Sequence, residues 1–244
     1  MTRKRQSRNK ADNSLLADNS PFAFSESYKS LRTNLEFSTF DGELKVILLT
    51  SSIPDEGKSS VSINIAKTLA DTGKKVLLID GDLRSPSVGR YLRVRRDVTQ
   101  GFSTVLSGKA SLKESIYTYN ASRFDVMLSG PIPPNPAELL SRNLKEHVLN
   151  ELKDLYDYIL IDTPPVGVVS DATVLSRYVD GALFVVRHNS TNKEVARDAL
   201  KRLKASKVNV VGVVVDNYDS SKDLNASVGY EYQYHYDPQS VKGD

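Results

Sequence analysis

Cysteine is absent from this 244-residue chain, which excludes disulfides, thiolate catalysis and cysteine-based zinc sites. A reducing compartment fits that absence. The three histidines, His147, His188 and His235, are too scattered to form a metal cluster and read as surface residues. No apolar run approaches the roughly 20 residues that a membrane-spanning helix needs. The N-terminal stretch MTRKRQSRNKADNS is basic but has no apolar segment behind it, which argues against a secretory signal. No charge of one sign dominates: the net charge is +3, and a nucleic-acid partner is not expected. Internal repeats are lacking.

What the chain does contain is an alternation of short apolar runs with helical patterns. Residues 1–20 are polar and charged, and read as a basic arm without order. The arm can lie on anionic lipid or simply be solvated. The spacing of Tyr28, Leu31 and Leu35 predicts a helix from Ser25 to about Phe37, with Ser25 as its cap. Apolar runs predict strands at 45–51, 76–80, 123–129, 158–162, 182–187 and 208–215. Helices are expected from Gly57 to Ala70, from Pro136 to about Lys153, and from about Asn192 to Ala205. Continuous apolar strands alternating with helices indicate an α/β fold, with a mostly parallel sheet and helices on both faces. Ligands then bind at the carboxyl ends of the strands.

The chemistry sits at those ends. The loop Ser51-Ser52-Ile53-Pro54-Asp55-Glu56-Gly57-Lys58-Ser59-Ser60 joins a strand to a helix and fits a phosphate loop. Ser52 replaces the first glycine of the usual G-x-x-x-x-G-K-[ST] pattern. Backbone N–H groups at the helix start would cradle phosphate. Lys58 would reach the β and γ phosphates of ATP, and the Ser59 hydroxyl would ligate Mg²⁺. Ser52, Pro54, Asp55, Glu56, Gly57 and Ser60 complete the expected nucleotide-binding set. Asp55 and Glu56, being acids beside a polyanion, are expected to face solvent or a partner.

Two further strand ends carry acids: VLLIDGD places Asp80 and Asp82 together, and YILIDTPP places Asp162. Mg²⁺ takes one or two carboxylates and keeps several waters, which leaves one acid free. Asp80 is the candidate base; Asp82 and Asp162 would hold Mg²⁺ and its waters, although all three can approach the metal. The arginines Arg84, Arg90, Arg93, Arg95 and Arg96 could guide an acidic peptide or form a solvated helix face.

After Val215 the pattern stops. The run GYEYQYHYDP places Tyr230, Tyr232, Tyr234 and Tyr236 at every second position. They read as a row of phosphate acceptors on a flexible tail; an edge strand is the alternative. A phenol of pKa about 10 needs a carboxylate to take its proton as phosphate is transferred.

These pieces together resemble the bacterial tyrosine kinases of capsule and exopolysaccharide assembly, specifically the separate cytoplasmic kinase subunit of the Gram-positive type. The resemblance rests on SSIPDEGKSS, VLLIDGDLR, ILIDTPP, SGPIPPNPAELL, the tyrosine-rich tail, and ESYKSLRTN, similar to the family's E-x-x-R-x-x-R-x-N segment. It implies a P-loop NTPase fold and an ATP- and Mg²⁺-dependent protein-tyrosine autokinase with Lys58, Asp80, Asp82 and Asp162 as catalytic residues. The kinase domain would span 21–216 and the tail 217–244. Glu26, Lys29, Arg32 and Asn34 would build a ring-shaped homo-oligomer in which each tail enters a neighbour's site. A membrane adaptor of the polysaccharide co-polymerase type would activate the kinase and hold it at the inner face of the plasma membrane, and a phosphotyrosine phosphatase would reverse the reaction. Lys29 departs from the family's first arginine. Asp216 stands where related ATPases place a base-contacting Asn, with Asn217 one position late. The rival readings are a ParA- or MinD-like ATPase, whose signature lysine is here Ile53, and a nucleotide-dependent switch without kinase activity.

Overall fold

The computed structural model describes residues 14–38, 44–94, 98–119, 123–143 and 148–218. The four tail tyrosines, Arg95, Arg96, His147 and His235 lie outside them, as does the arm before Ser14. Helix α1 spans Phe22–Phe37 and is followed by strand β1, Val46–Ser51. Helix α2, Lys58–Ala70, leads to β2, Val76–Asp80. Three short helices follow: α3 (Val88–Tyr91), α4 (Phe102–Leu106) and α5 (Leu112–Ser115). Strands β3 (Tyr117–Tyr119) and β4 (Phe124–Met127) precede α6 (Pro136–Asn143) and α7 (Val148–Leu155). The remainder is β5 (Tyr158–Asp162), α8 (Asp171–Leu175), a 3₁₀ turn at Ser176–Tyr178, β6 (Gly181–Arg187), α9 (Lys193–Ala205) and β7 (Val210–Asp216).

The strands form one seven-stranded sheet in the order β3-β4-β2-β5-β1-β6-β7. Every pairing is parallel except β3 with β4. Alternate side chains of each strand enter opposite layers. Ile47, Leu49, Leu78 and Leu160 pack with Val61, Ile65 and Leu69 of α2 and with Tyr28 and Leu35 of α1. Val46, Leu48, Ile79 and Ile161 pack on the other face with Phe102, Leu140, Leu152 and Leu203. Both faces are covered, so the inner strands are apolar throughout. From β1 the chain steps one way to β2 and later crosses to β6 on the other side. That reversal opens a crevice at the carboxyl end of β1.

Three differences from the sequence reading have physical causes. Helix α1 begins three residues earlier than Ser25, because Ser25 donates its N–H to Pro21 O as an ordinary helical residue. Within the helix expected over 136–153, the described residues Pro136–Asn143 and Val148 onward are helical, as α6 and α7. β3 is a three-residue antiparallel edge strand, exposed at Tyr117 and Thr118 and too short to leave a pattern. Residues 14–20 are not free of the body: the Asn64 amide clasps them, accepting from Leu16 N at 2.8 Å and donating to Ser14 O at 2.8 Å. Leu15 and Leu16 pack on the first core layer.

Candidate functional site

The loop from Ser52 to Gly57 turns β1 into α2. Asp55 and Gly57 take positive φ values of 65° and 88°, and this double reversal turns the start of α2 back over the strand end. Val61 N donates to Gly57 O, so the N–H groups of Lys58, Ser59 and Ser60 are the helix's open donors. An open helix start of this kind is suited to an anion. A side chain at Gly57 would collide with the Asp216 carboxylate as well as face an unfavourable φ. Gly57→Ala should therefore cost about 1–3 kcal/mol, read as a lower urea midpoint, together with weaker nucleotide binding.

The acids converge on this turn because their strands are neighbours. Asp80 ends β2 and Asp162 ends β5, in direct register with each other. Leu49 of β1 pairs with Asp162 on the other side. Lys58 Nζ lies 3.6 Å from Asp82 Oδ2 and 3.6 Å from Asp162 Oδ2. Ser59 Oγ donates to Asp162 Oδ2 at 2.5 Å, and Ser62 Oγ to the other oxygen at 3.3 Å. Asp80 accepts from Val88 N at 3.1 Å and from Asp82 N at 3.3 Å. Asp82 Oδ1 accepts from Ser85 N at 2.9 Å and Arg84 N at 3.2 Å.

All three carboxylates are buried. Burial, reinforced by Asp162, pushes the Asp80 carboxyl up to about 8 against the pull of Lys58. Burial also raises Asp162, although Lys58 and Ser59 oppose it. Burial presses the Lys58 ammonium down, yet Asp162, Asp82 and Asp80 together outweigh it and hold it above its ordinary value. Lys58 is thus a stable cation among acids.

Ser59, Asp82 and Asp162 gather hydroxyl and carboxylate oxygens beside Lys58 Nζ, the donor type that a hard cation takes. Among the described residues no group of three His, Cys, Asp or Glu side chains forms a ready cage. The donor set therefore fits a metal that brings phosphate and water ligands with it.

Of the expected nucleotide set, Ser52, Ser59 and Ser60 are buried in the turn, while Pro54 and Asp55 are exposed on its outer side. Glu56 departs from expectation. It is only 2% exposed and points into the loop. It can be buried because the fold supplies donors: Ser52 N at 2.7 Å, Ile53 N at 3.0 Å, and the hydroxyls of Ser52 and Thr191. Arg84 stays exposed but is held in place: its guanidinium clasps Asp171, with Nε to Oδ2 at 2.8 Å and Nη2 to Oδ1 at 2.9 Å. Ser87 is a residue the sequence did not flag: its hydroxyl donates to Ser59 Oγ at 2.7 Å. A serine in the motif-poor stretch SPS carries no signal that could have found it. Asp216 turns toward Gly57 and the Arg187 guanidinium, 3.5 Å away.

On α1, Lys29 pairs with Glu26 at 2.6 Å and Asn34 is exposed. Arg32 Nη1 donates to Thr68 O at 3.2 Å, while its buried Nε has no partner. The segment GPIPPNP forms one wall of a groove of about 870 Å³ whose other wall includes Ser103, Thr104 and Lys109. None of the expected site residues lines it.

Residues 45–186 match the family model described as an AAA domain. Over 206 residues the chain is 39% identical to tyrosine-protein kinase YwqD of Bacillus subtilis (strain 168), covering 84% of this chain and 85% of that protein. The crystal structure of the chimerical protein CapA2B2 aligns with a TM-score of 0.75 at 32% identity, over 81% of this chain and 85% of that one. A more distant likeness is to the septum site-determining protein MinD of Pyrococcus horikoshii OT3, solved with Mg-ADP. It has a TM-score of 0.61 and 25% identity over 76% of each chain. The phosphate loop and the likeness to MinD mark a nucleotide-binding fold, and the sequence relationship is decisive within it: the chain belongs to the bacterial tyrosine-protein kinase family.

Proposed function

We propose that the chain is an ATP- and Mg²⁺-dependent protein-tyrosine autokinase that phosphorylates the tail tyrosines of another copy of itself. The observation that carries this reading is the Lys58 ammonium at the start of α2, set between Asp82 and Asp162 with Asp80 alongside. Lys58 and the N–H groups of Lys58, Ser59 and Ser60 would hold the β and γ phosphates. Ser59, Asp82 and Asp162 would hold Mg²⁺, which when bound offsets phosphate charge. Asp80 is the acid best suited to receive a phenolic proton. It is buried, fixed by the N–H groups of Val88 and Asp82, and its raised pKa makes it a stronger base than a surface carboxylate. It must enter the reaction deprotonated, and the cations gathered by the substrate favour that form. The tyrosine oxygen then bonds to the γ phosphorus, the bond to ADP breaks, and the proton passes to the carboxylate.

The acceptors in this reading are Tyr230, Tyr232, Tyr234 and Tyr236. From Tyr218 to Tyr230 is twelve residues, which as a flexible coil span on the order of 20 Å. In this reading a neighbouring subunit's site would open within about that distance of Tyr218. Glu26, Lys29, Arg32 and Asn34 would form the contact of a ring. The resemblance to capsule and exopolysaccharide kinases supports a role in polysaccharide synthesis and export. It also supports a membrane adaptor of the co-polymerase type, placement at the inner face of the plasma membrane, and a cognate phosphotyrosine phosphatase. Among the described residues no helix is long and apolar enough to cross a membrane.

The test mixes two chains with labelled ATP, Mg²⁺ and the adaptor's cytosolic segment. One keeps Lys58 but carries phenylalanine at 230, 232, 234 and 236; the other carries Lys58→Met and an intact tail. Label is expected on the Lys58→Met chain. Free phosphate with both chains unlabelled would instead support an ATPase or a nucleotide switch.

A further inference from the structure

Glu56 is a buried acid whose place is unexplained by phosphate binding, since a carboxylate repels the triphosphate that the loop must hold. Its contacts explain it. Oε2 accepts from the N–H groups of Ser52 and Ile53 at 2.7 and 3.0 Å, and the Ser52 hydroxyl donates to it as well. Oε1 accepts from the Thr191 hydroxyl. Thr191 Oγ1 in turn accepts from Arg187 N at 2.9 Å, at the carboxyl end of β6. The Arg187 guanidinium reaches the residue before Glu56: Nη1 donates to Asp55 O at 2.7 Å. Two consecutive loop residues are therefore fastened to one strand end.

The fastening falls where the loop needs it. Asp55 holds a φ of 65°, a left-handed conformation that strains a non-glycine residue. Ser52 occupies the position that is glycine in the usual phosphate-loop pattern. Its carbonyl is packed so closely on Gly167 that a Cβ there would collide with it. In this chain the order of the turn comes from side-chain bonds that converge on Glu56.

We propose that Glu56 is the positioning residue of the phosphate loop, with Thr191 as its relay to the end of β6. The carboxylate holds the first half of the turn, so that the N–H groups at the start of α2 stay aimed at the phosphates. Its charge is the cost, because it opposes the anion being bound. The two effects separate by substitution. Glu56→Gln keeps an acceptor oxygen for Ser52 N and Ile53 N and a polar partner for Thr191, but removes the charge. Glu56→Ala removes both. Thr191→Val cuts only the relay.

This inference rests on the loop being a nucleotide site. The experiment is titration of the full-length chain and the three variants with a fluorescent N-methylanthraniloyl ADP and Mg²⁺, with folding checked by circular dichroism. The expected order of affinity is Glu56→Gln equal to or up to tenfold tighter than wild type, Thr191→Val about threefold weaker, and Glu56→Ala about tenfold weaker. In steady-state kinetics the Thr191→Val change should be read in the KM for ATP more than in kcat. A folded Glu56→Ala within twofold of wild type would overturn the proposal, as would a Glu56→Gln chain weaker than Thr191→Val. If Glu56→Ala does not fold, the other two variants decide: Thr191→Val binding as tightly as wild type overturns it. Failure of the wild-type chain to bind the probe would remove the nucleotide reading itself, a separate outcome.

Discussion

A Lys58→Met chain should transfer at least about 10³-fold less phosphate to protein tyrosine than the wild-type chain. Methionine keeps the length and apolar stem of the side chain but removes its charge. The γ phosphate then loses its only ammonium from the loop, and Asp82 and Asp162 lose the cation between them. The second loss bears on stability. The lysine side chain is 12% exposed and the Asp162 side chain fully buried, so removing one partner strands buried charge, at about 3–5 kcal/mol. The activity comparison must therefore be made where circular dichroism shows the variant folded. Retention of more than a tenth of wild-type labelling by folded Lys58→Met would remove Lys58 from the chemistry.

Asp80→Asn should abolish transfer, by about 10²-fold or more, and yet stabilise the protein in EDTA with an advantage that grows with pH. Buried Asp80 carries a carboxyl raised to about 8, whereas in an unfolded chain it would titrate near its ordinary value of about 4. Between those values the folded protein holds a proton that the unfolded chain has released. Stability attributable to Asp80 is therefore full below about pH 4 and declines as pH rises toward 8. Asparagine is neutral throughout and does not suffer that decline. The variant's lead over wild type should widen by on the order of 4 kcal/mol between pH 5 and pH 8, or about 10 °C in Tm for a chain of this size. Equal Tm differences at the two pH values would show that the carboxyl is not held protonated.

The residues of the site were legible where the physics is local. A strand buried on both faces reads as an unbroken apolar run, and its end is marked by the first polar residue; hence Asp80 and Asp162 were placed at the right edge of the sheet. The glycine–lysine–serine turn before an amphipathic helix likewise announced α2. What was not legible depends on groups that only the fold assembles. Glu56 is buried because Thr191, 135 residues away, and two loop N–H groups meet it. Ser87 and Ser59 are 28 residues apart, and Arg84 and Asp171 are 87 apart. Periodicity tells which face of an element is covered but not by whom. The same limit explains α1, whose start is set by Pro21 rather than by a capping side chain, and the strap at 14–20, held by one internal asparagine.

The sheet order has a consequence for how this protein can be controlled. The strands that end in the loop and in the two aspartates, β2, β5 and β1, hold the three central places of the seven. Their amide protons should exchange with solvent only when the whole domain opens, whereas β7, with Val213 and Val215 exposed at one edge, can fray alone. The groups proposed for catalysis thus sit in the part of the molecule expected to come apart last. Loosening them to switch the protein off would mean losing the fold, so control has to act on what is delivered to the crevice: the nucleotide, its cation and the incoming phenol.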